Sequence, residues 1–369
     1  MKVSRSGRTV AVISLAALAL TACGSDDVTG GAPADAASGS STLSGTLTGA
    51  GSSAQNAAMT AWQSGFAASS GAGVQYSPDG SGAGRDAFLA EGVQFAGSDA
   101  ALDDEEYAAS KEVCGPDGAI DIPVYVSPIA IAFNLPGIDT LQLDAATIAS
   151  VFRGEVESWD DEAIAAQNEG VELPATPVTV VHRADDSGTT ENFTDYLAAA
   201  APEVWTDEAD GAWPEALVAE NAQGTNGVVS TTTGTDGAIT YADASAVGDL
   251  GRVSVLVGEE YVPLGADAAG RAVEAATRVA GRSDVDMSLE LERDTTASGA
   301  YPVVLVSYHV VCSSYADQQT VDLVRAFETY VVSAEGQDAA AASAGSAPLP
   351  EDIRADAMTA IGSITVGSS

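Results

Sequence analysis

One stretch limits the fold of this chain more than any other. It runs Val178-Thr179-Val180-Val181-His182-Arg183-Ala184-Asp185-Asp186-Ser187-Gly188-Thr189-Thr190 and continues through Glu191 to Leu197. Val178 to Val181 are mostly β-branched and come after Pro177, so the stretch begins as a strand. Asp185-Asp186-Ser187-Gly188 are turn and cap residues, and Phe193, Tyr196 and Leu197 then fall at helical spacing. The sequence therefore specifies a strand, a tight turn and a helix N-terminus. First-turn N–H groups at Ser187, Gly188 and Thr189 point out of that helix start, where aligned peptide dipoles leave partial positive charge. Two hydroxyls and one arginine beside them suit a tetrahedral oxyanion. The same residues also describe an ordinary capped helix with a surface arginine, and the stretch alone does not choose between the two.

At 369 residues the chain has room for two domains with real cores. Its charge is lopsided, with 14 Lys+Arg against 53 Asp+Glu. That balance argues against nucleic acid as a partner, because phosphate backbones demand clustered Lys and Arg. It does not argue against a bound anion: local dipoles and hydrogen bonds hold a buried ion, while net charge governs solubility and association. Residues 1–22 read as an export signal. Lys2, Arg5 and Arg8 form a basic start, and Val10 to Leu20 is an apolar run too short to span a bilayer. Residues 23–44 are rich in Gly, Ser, Ala, Asp and Pro and read as a flexible tether. Two further cysteines, Cys114 and Cys312, form an even pair in an exported chain; a disulfide or two buried thiols both fit.

Further strand–turn–helix units lie upstream. Leu43 to Thr48 alternates like a strand. Gly49-Ala50-Gly51-Ser52-Ser53-Ala54-Gln55 then turns into a helix carrying Met59, Trp62 and Phe66. Gly49-x-Gly51-x-x-Ala54 also fits a dinucleotide fingerprint, with Asp79 near the place of a ribose-binding acid; the export signal counts against that reading. Val74-Gln75-Tyr76 is a second strand, and Gly80-Ser81-Gly82-Ala83-Gly84-Arg85 leads into a helix. Gly97-Ser98-Asp99-Ala100 closes a short strand, and Asp99 alone could simply cap the acidic helix next to it. Ile120 to Asn134 and Tyr301 to Cys312 are long apolar runs that read as buried strands, and Gln319 to Val332 is an amphipathic helix. Gly336 to Ala347 reads as an alanine-rich loop, and a last helix comes after Pro348-Leu349-Pro350.

Taken together these blocks resemble a known family. His182-Arg183-Ala184-Asp185-x-Ser187-Gly188-Thr189-Thr190 looks like the signature of the phosphate-binding lipoproteins that serve phosphate ABC importers. Blocks around Gly51–Ser53, Gly80–Gly84 and Gly97–Ala100 keep the family's order and approximate spacing, and the likeness covers about Leu47 to the C-terminus. Leu20-Thr21-Ala22-Cys23 resembles the lipobox of bacterial lipoproteins. That likeness implies acylation of Cys23, with palmitate-type chains holding the protein at the extracytoplasmic face of the cell membrane.

The resemblance implies an α/β, two-lobed periplasmic-binding-protein (Venus-flytrap) fold with two hinge crossings. Residues 45–127 and 301–369 would form a discontinuous lobe I, and 128–300 lobe II. It implies that Ser53, Ser81, Ser187 and Thr189 offer hydroxyls to the ligand and Ala54 and Gly188 their N–H groups. Arg183 would supply the positive charge, held in place by Asp185. Asp99, an acceptor-only carboxylate, would read a ligand proton and so separate phosphate from sulfate. One departure is Ala54, where the family usually carries Phe after its Ser/Thr. The implied partners are inorganic phosphate, an ABC permease and its ATPase subunits; the protein would act as a monomer, without a cofactor, a metal or nucleic acid. Other oxyanions (arsenate, sulfate, molybdate) and a non-transport surface role are the alternatives. Catalysis is disfavoured: the chain has two histidines, His182 and His309, and no Gly-x-Ser-x-Gly elbow.

Overall fold

The computed structural model describes residues 43–367. The expected export signal, Cys23 as the expected acylation site, and the expected tether up to residue 42 lie outside the described residues. No helix among the described residues is long and apolar enough to cross a membrane.

Two long strands organise the molecule. Ala119–Phe133 and Val304–Cys312 are buried at every position. This is the pattern of strands covered on both faces, and it explains their near-continuous apolar sequence. They run antiparallel, from Cys312↔Ala119 to Val304↔Pro128. On one side of this pair lie Phe95–Ser98, Thr46–Gly51 and Gly73–Ser77, these three mutually parallel. Beyond Pro128 the first long strand changes partners. Ile129 to Phe133 pair with Ala238–Asp243, and Thr179–Arg183 and Glu220–Ala222 then add in parallel. The sheet is thus continuous across the change of partners at Pro128–Ile129, which falls at the expected crossing. Bonds from Ile129 N to Val303 O (2.8 Å) and from Ala244 N to Pro128 O (3.1 Å) close the ladder there. Gly251–Val257 and Glu260–Val262 form an antiparallel hairpin.

Two stretches refine the sequence reading. The alanine-rich stretch is not a loop: Ala334–Ala344 is a helix. Alanine is the strongest helix former, Ser333 accepts from Gly336 N at 3.1 Å as N-cap, and Gly345 ends the helix in a left-handed conformation. Thr140–Leu143 pairs as a strand, from Thr140↔Arg252 to Leu143↔Val255, and Asp144 then caps the helix Ala145–Phe152. Within the span expected for lobe II, residues 278–289 bond to residues expected for lobe I. Ser283 N donates to the Tyr107 hydroxyl (2.9 Å), Leu289 N to the Tyr308 hydroxyl (3.2 Å), and Ser288 and Arg282 to the buried carboxylate of Asp121 (3.0 and 3.4 Å). A buried carboxylate needs such donors, and the local chain of lobe I does not supply enough of them.

Glycine decides one loop. Gly51 has a φ of 145°, and a Cβ there would overlap the Gly97 carbonyl. The strand Thr46–Gly51 can therefore end against Phe95–Ser98 only with glycine, which brings Ser52 and Asp99 into contact.

Candidate anion-binding site

Four helices start at the same place: Asn56–Ser70, Ser81–Leu89, Gly188–Ala200 and Gly224–Thr233. Their loops touch. A Cβ on Gly188 would lie 2.8 Å from Ser81 Oγ and 2.9 Å from Asp99 Cβ, and one on Gly224 would lie 3.6 Å from Ser53 Oγ. The first two helices lie in the span expected for lobe I and the last two in that expected for lobe II, and the positive ends of all four converge.

Asp99 stands at the centre, 2% exposed. Its Oδ2 accepts from Ser52 Oγ at 2.6 Å and Thr189 Oγ1 at 3.4 Å, and its Oδ1 from Ser307 Oγ at 2.7 Å. Ser52 Oγ itself accepts from Ala54 N (3.0 Å), which turns the hydroxyl hydrogen toward Asp99. A carboxylate offers about four acceptor positions, so about one stays open beside the cleft. Burial pushes the Asp99 carboxyl up from its ordinary range, against the pull of the Ser307 and Ser52 hydroxyls and the Arg183 charge.

Arg183, 3% exposed, ends the strand Thr179–Arg183. Its Nε donates to Asp185 Oδ1 at 2.9 Å and its Nη2 to Asp185 Oδ2, while Nη1 faces Thr225 Oγ1 at 3.5 Å. Asp185 Oδ1 also accepts from Gly224 N (2.9 Å), so the orienting carboxylate is itself tied to a helix start. One fork of the guanidinium is therefore spent on Asp185, and the Nη1/Nη2 edge remains. Ser187 caps its helix through Thr190 N (3.3 Å), and Ser81 Oγ accepts from Asp99 N (3.2 Å). Ser53 Oγ pairs with Thr225 Oγ1 at 3.0 Å and accepts from Thr225 N at 3.0 Å, across the cleft.

Sequence reasoning missed Ser52, Thr225, Ser307 and Asn192. Asn192 Nδ2 donates to the Asp99 carbonyl (2.6 Å) and the Gly188 carbonyl (2.7 Å). Only Ser52 carried a local signal, as a second hydroxyl in the Gly-Ser-Ser turn; the others reach the site through tertiary contacts. His182 bonds the Arg183 carbonyl (2.8 Å) and stacks on Trp213, and His309 pairs with Glu328 (2.8 Å). Among the described residues no group of three or more His, Cys, Asp or Glu could hold a metal. Cys114 and Cys312 are joined by a disulfide remote from the cleft-facing loops, with Cα atoms 4.7 Å apart.

A family model for the PBP superfamily domain matches residues 36–335. Phosphate-binding protein PstS 3 of Mycobacterium leprae is 35% identical over 373 residues, spanning 99% of this chain and 100% of that protein. The chain belongs to the PstS family. PstS 2 of Mycobacterium tuberculosis is likewise 35% identical, over 376 residues and 99% of this chain. Solved relatives share the fold of this PstS chain. A high-affinity periplasmic phosphate-binding protein solved with phosphate has a TM-score of 0.65 at 24% identity, covering 84% of this chain and 92% of its own. A phosphate-binding protein of Stenotrophomonas maltophilia has a TM-score of 0.65 at 20% identity, covering 85% and 93%. The PstS family is one of solute-binding proteins rather than enzymes.

Proposed function

We propose that this protein captures inorganic phosphate between its lobes and delivers it to an ABC permease with ATPase subunits. It does so as a monomer held at the extracytoplasmic face by acylated Cys23. The ligand takes the Nη1/Nη2 edge of Arg183, the hydroxyls of Ser53, Ser81, Ser187 and Thr189, and the N–H groups of Ala54 and Gly188. Ser53 and Thr189 turn their hydroxyl hydrogens from Thr225 Oγ1 and Asp99 Oδ2 to the ligand, Ala54 N turns from Ser52 Oγ, and Ser187 donates its own hydrogen while still accepting from Thr190 N. The observation that carries the reading is the Asp99 carboxylate. It is buried, met by three hydroxyl donors, and left with about one acceptor position unfilled, within the field of the Arg183 guanidinium. Such a position takes a ligand that still carries a proton, as phosphate does at neutral pH and sulfate does not. An unmade buried bond to a charged group costs about 1–3 kcal/mol or more, and sites built around one discriminate by roughly 10⁴. The names of the PstS relatives support the same ligand.

Calorimetric titration of protein stripped of carried-over anion tests this. Phosphate is expected to bind tightly and sulfate negligibly, and Asp99→Asn to lose the preference by gaining sulfate. A folded sample that binds neither anion would end the transport reading in favour of a non-transport surface role.

A further inference from the structure

Arg293 belongs to none of the strand–turn–helix motifs. It lies in the loop ahead of the return strand Val304–Cys312 and is 6% exposed. Its guanidinium makes four hydrogen bonds. Nε donates to Asp195 Oδ2 (2.7 Å), Nη2 to Asn192 Oδ1, and Nη1 to the carbonyls of Val304 and Pro302. Asn192 and Asp195 lie on the helix Gly188–Ala200, whose first turn faces the anion site.

The Asn192 amide has one acceptor group and one donor group, and their direction matters. Arginine cannot accept a hydrogen bond, so the contact from Nη2 compels the amide oxygen to face Arg293. The nitrogen must then face the Asp99 and Gly188 carbonyls. Asp99 belongs to lobe I and Gly188 to lobe II. Through a single amide, Arg293 thus sets the spacing between the proton-reading carboxylate and the anion-facing helix start. Its other bonds fix that spacing to Pro302 and Val304, at the crossing between lobes. A cavity of ≈ 500 Å³ adjoins Asp99, Asn192 and Arg293, so water has access to the amide once the guanidinium is gone.

We propose that Arg293 is a positioning residue for anion binding. It orients Asn192 and thereby holds the closed cleft together, linking closure to the return crossing. This rests on the anion reading of the cleft. Because the latch exists only when the lobes meet, its loss acts on escape of the ligand, not on first encounter. Because the Asp99 carboxylate keeps its hydroxyl partners, the preference among anions is unchanged.

The test uses the full chain and the variants Arg293→Gln, Arg293→Lys, Asn192→Ala and the double Arg293→Gln/Asn192→Ala. Stopped-flow measurement should find phosphate leaving Arg293→Gln about tenfold to a hundredfold faster, as loss of a hydrogen bond to a charged group implies. Association should hold within about twofold and phosphate-over-sulfate selectivity should be retained. Arg293→Lys, which can still donate to Asn192, should recover much of the loss, and the double variant should be no worse than Arg293→Gln. An unchanged dissociation rate in folded Arg293→Gln, or additive losses in the double variant, would overturn the proposal. If the unmodified protein bound no phosphate, the function would fall, and the latch would be judged on ligand-free protein. Distances between spin labels at exposed Glu112 and Glu169 should then lengthen in Arg293→Gln, and an unchanged distribution would sink it.

Discussion

Arg183 offers the cleft one edge, because Asp185 holds the other. An ammonium group cannot serve two such faces, so Arg183→Lys should weaken phosphate binding by about 2–5 kcal/mol, read by calorimetry, with the melting profile little changed. Asp121 carries a different prediction. Burial, and then the neighbouring Asp286 carboxylate, push it up to about 7, against Arg282 and the Ser288 hydroxyl. A folded-state value above the unfolded one means that its contribution to stability is full below about pH 4 and is lost as pH rises through about 7. Asp121→Asn removes this titration, so the fall in unfolding free energy between pH 5 and 8 should be shallower than in the unmodified protein, by up to about 1.4 kcal/mol per pH unit. Equal slopes in denaturant melts would refute it. At this scale the sequence was uneven. Arg183, Asp185 and Asp99 stand in compact motifs and could be read. Ser307 could not, because it meets Asp99 from 208 residues away, and Ser52 carried only the faint signal of a second hydroxyl in its turn.

Among elements, the strand–turn–helix units were legible because local chemistry writes them: β-branched runs, then glycine and hydroxyl caps. The helix Ala334–Ala344 was not, since alanine and glycine side chains leave no apolar periodicity to detect; its propensity and its Ser333 cap decide it. Removing that cap with Ser333→Ala should cost about 1 kcal/mol in thermal or denaturant unfolding. A sharper constraint holds the helix Ser81–Leu89 against the strand Thr46–Gly51. A Cβ on Gly84 would overlap Gly51 and come within 2.6 Å of the Ala50 carbonyl. Gly84→Val should therefore cost about 1–3 kcal/mol of stability and also weaken phosphate binding, because the displaced helix carries Ser81 with it. Loss of stability with unchanged affinity would show that the helix start does not position the ligand.

Across the whole molecule, the disulfide ties the end of the helix Asp104–Cys114 to the return strand, closing a loop with a sequence separation of 198. Opening it by Cys312→Ser should cost about 2–5 kcal/mol of unfolding free energy. Charge has a subtler effect at this scale. The site's guanidinium is matched by Asp185 and faces Asp99, so two carboxylates stand against one cation, in a chain with a formal net charge of −39. Phosphate arriving as an anion meets repulsion along its whole approach and becomes attracted only within reach of the dipoles and hydroxyls. Added salt screens that repulsion, the screening length falling from about 30 Å at 0.01 M to about 3 Å at 1 M, while the short-range bonds are screened much less. Capture should therefore quicken with ionic strength, so that the protein scavenges faster in brine than in dilute water.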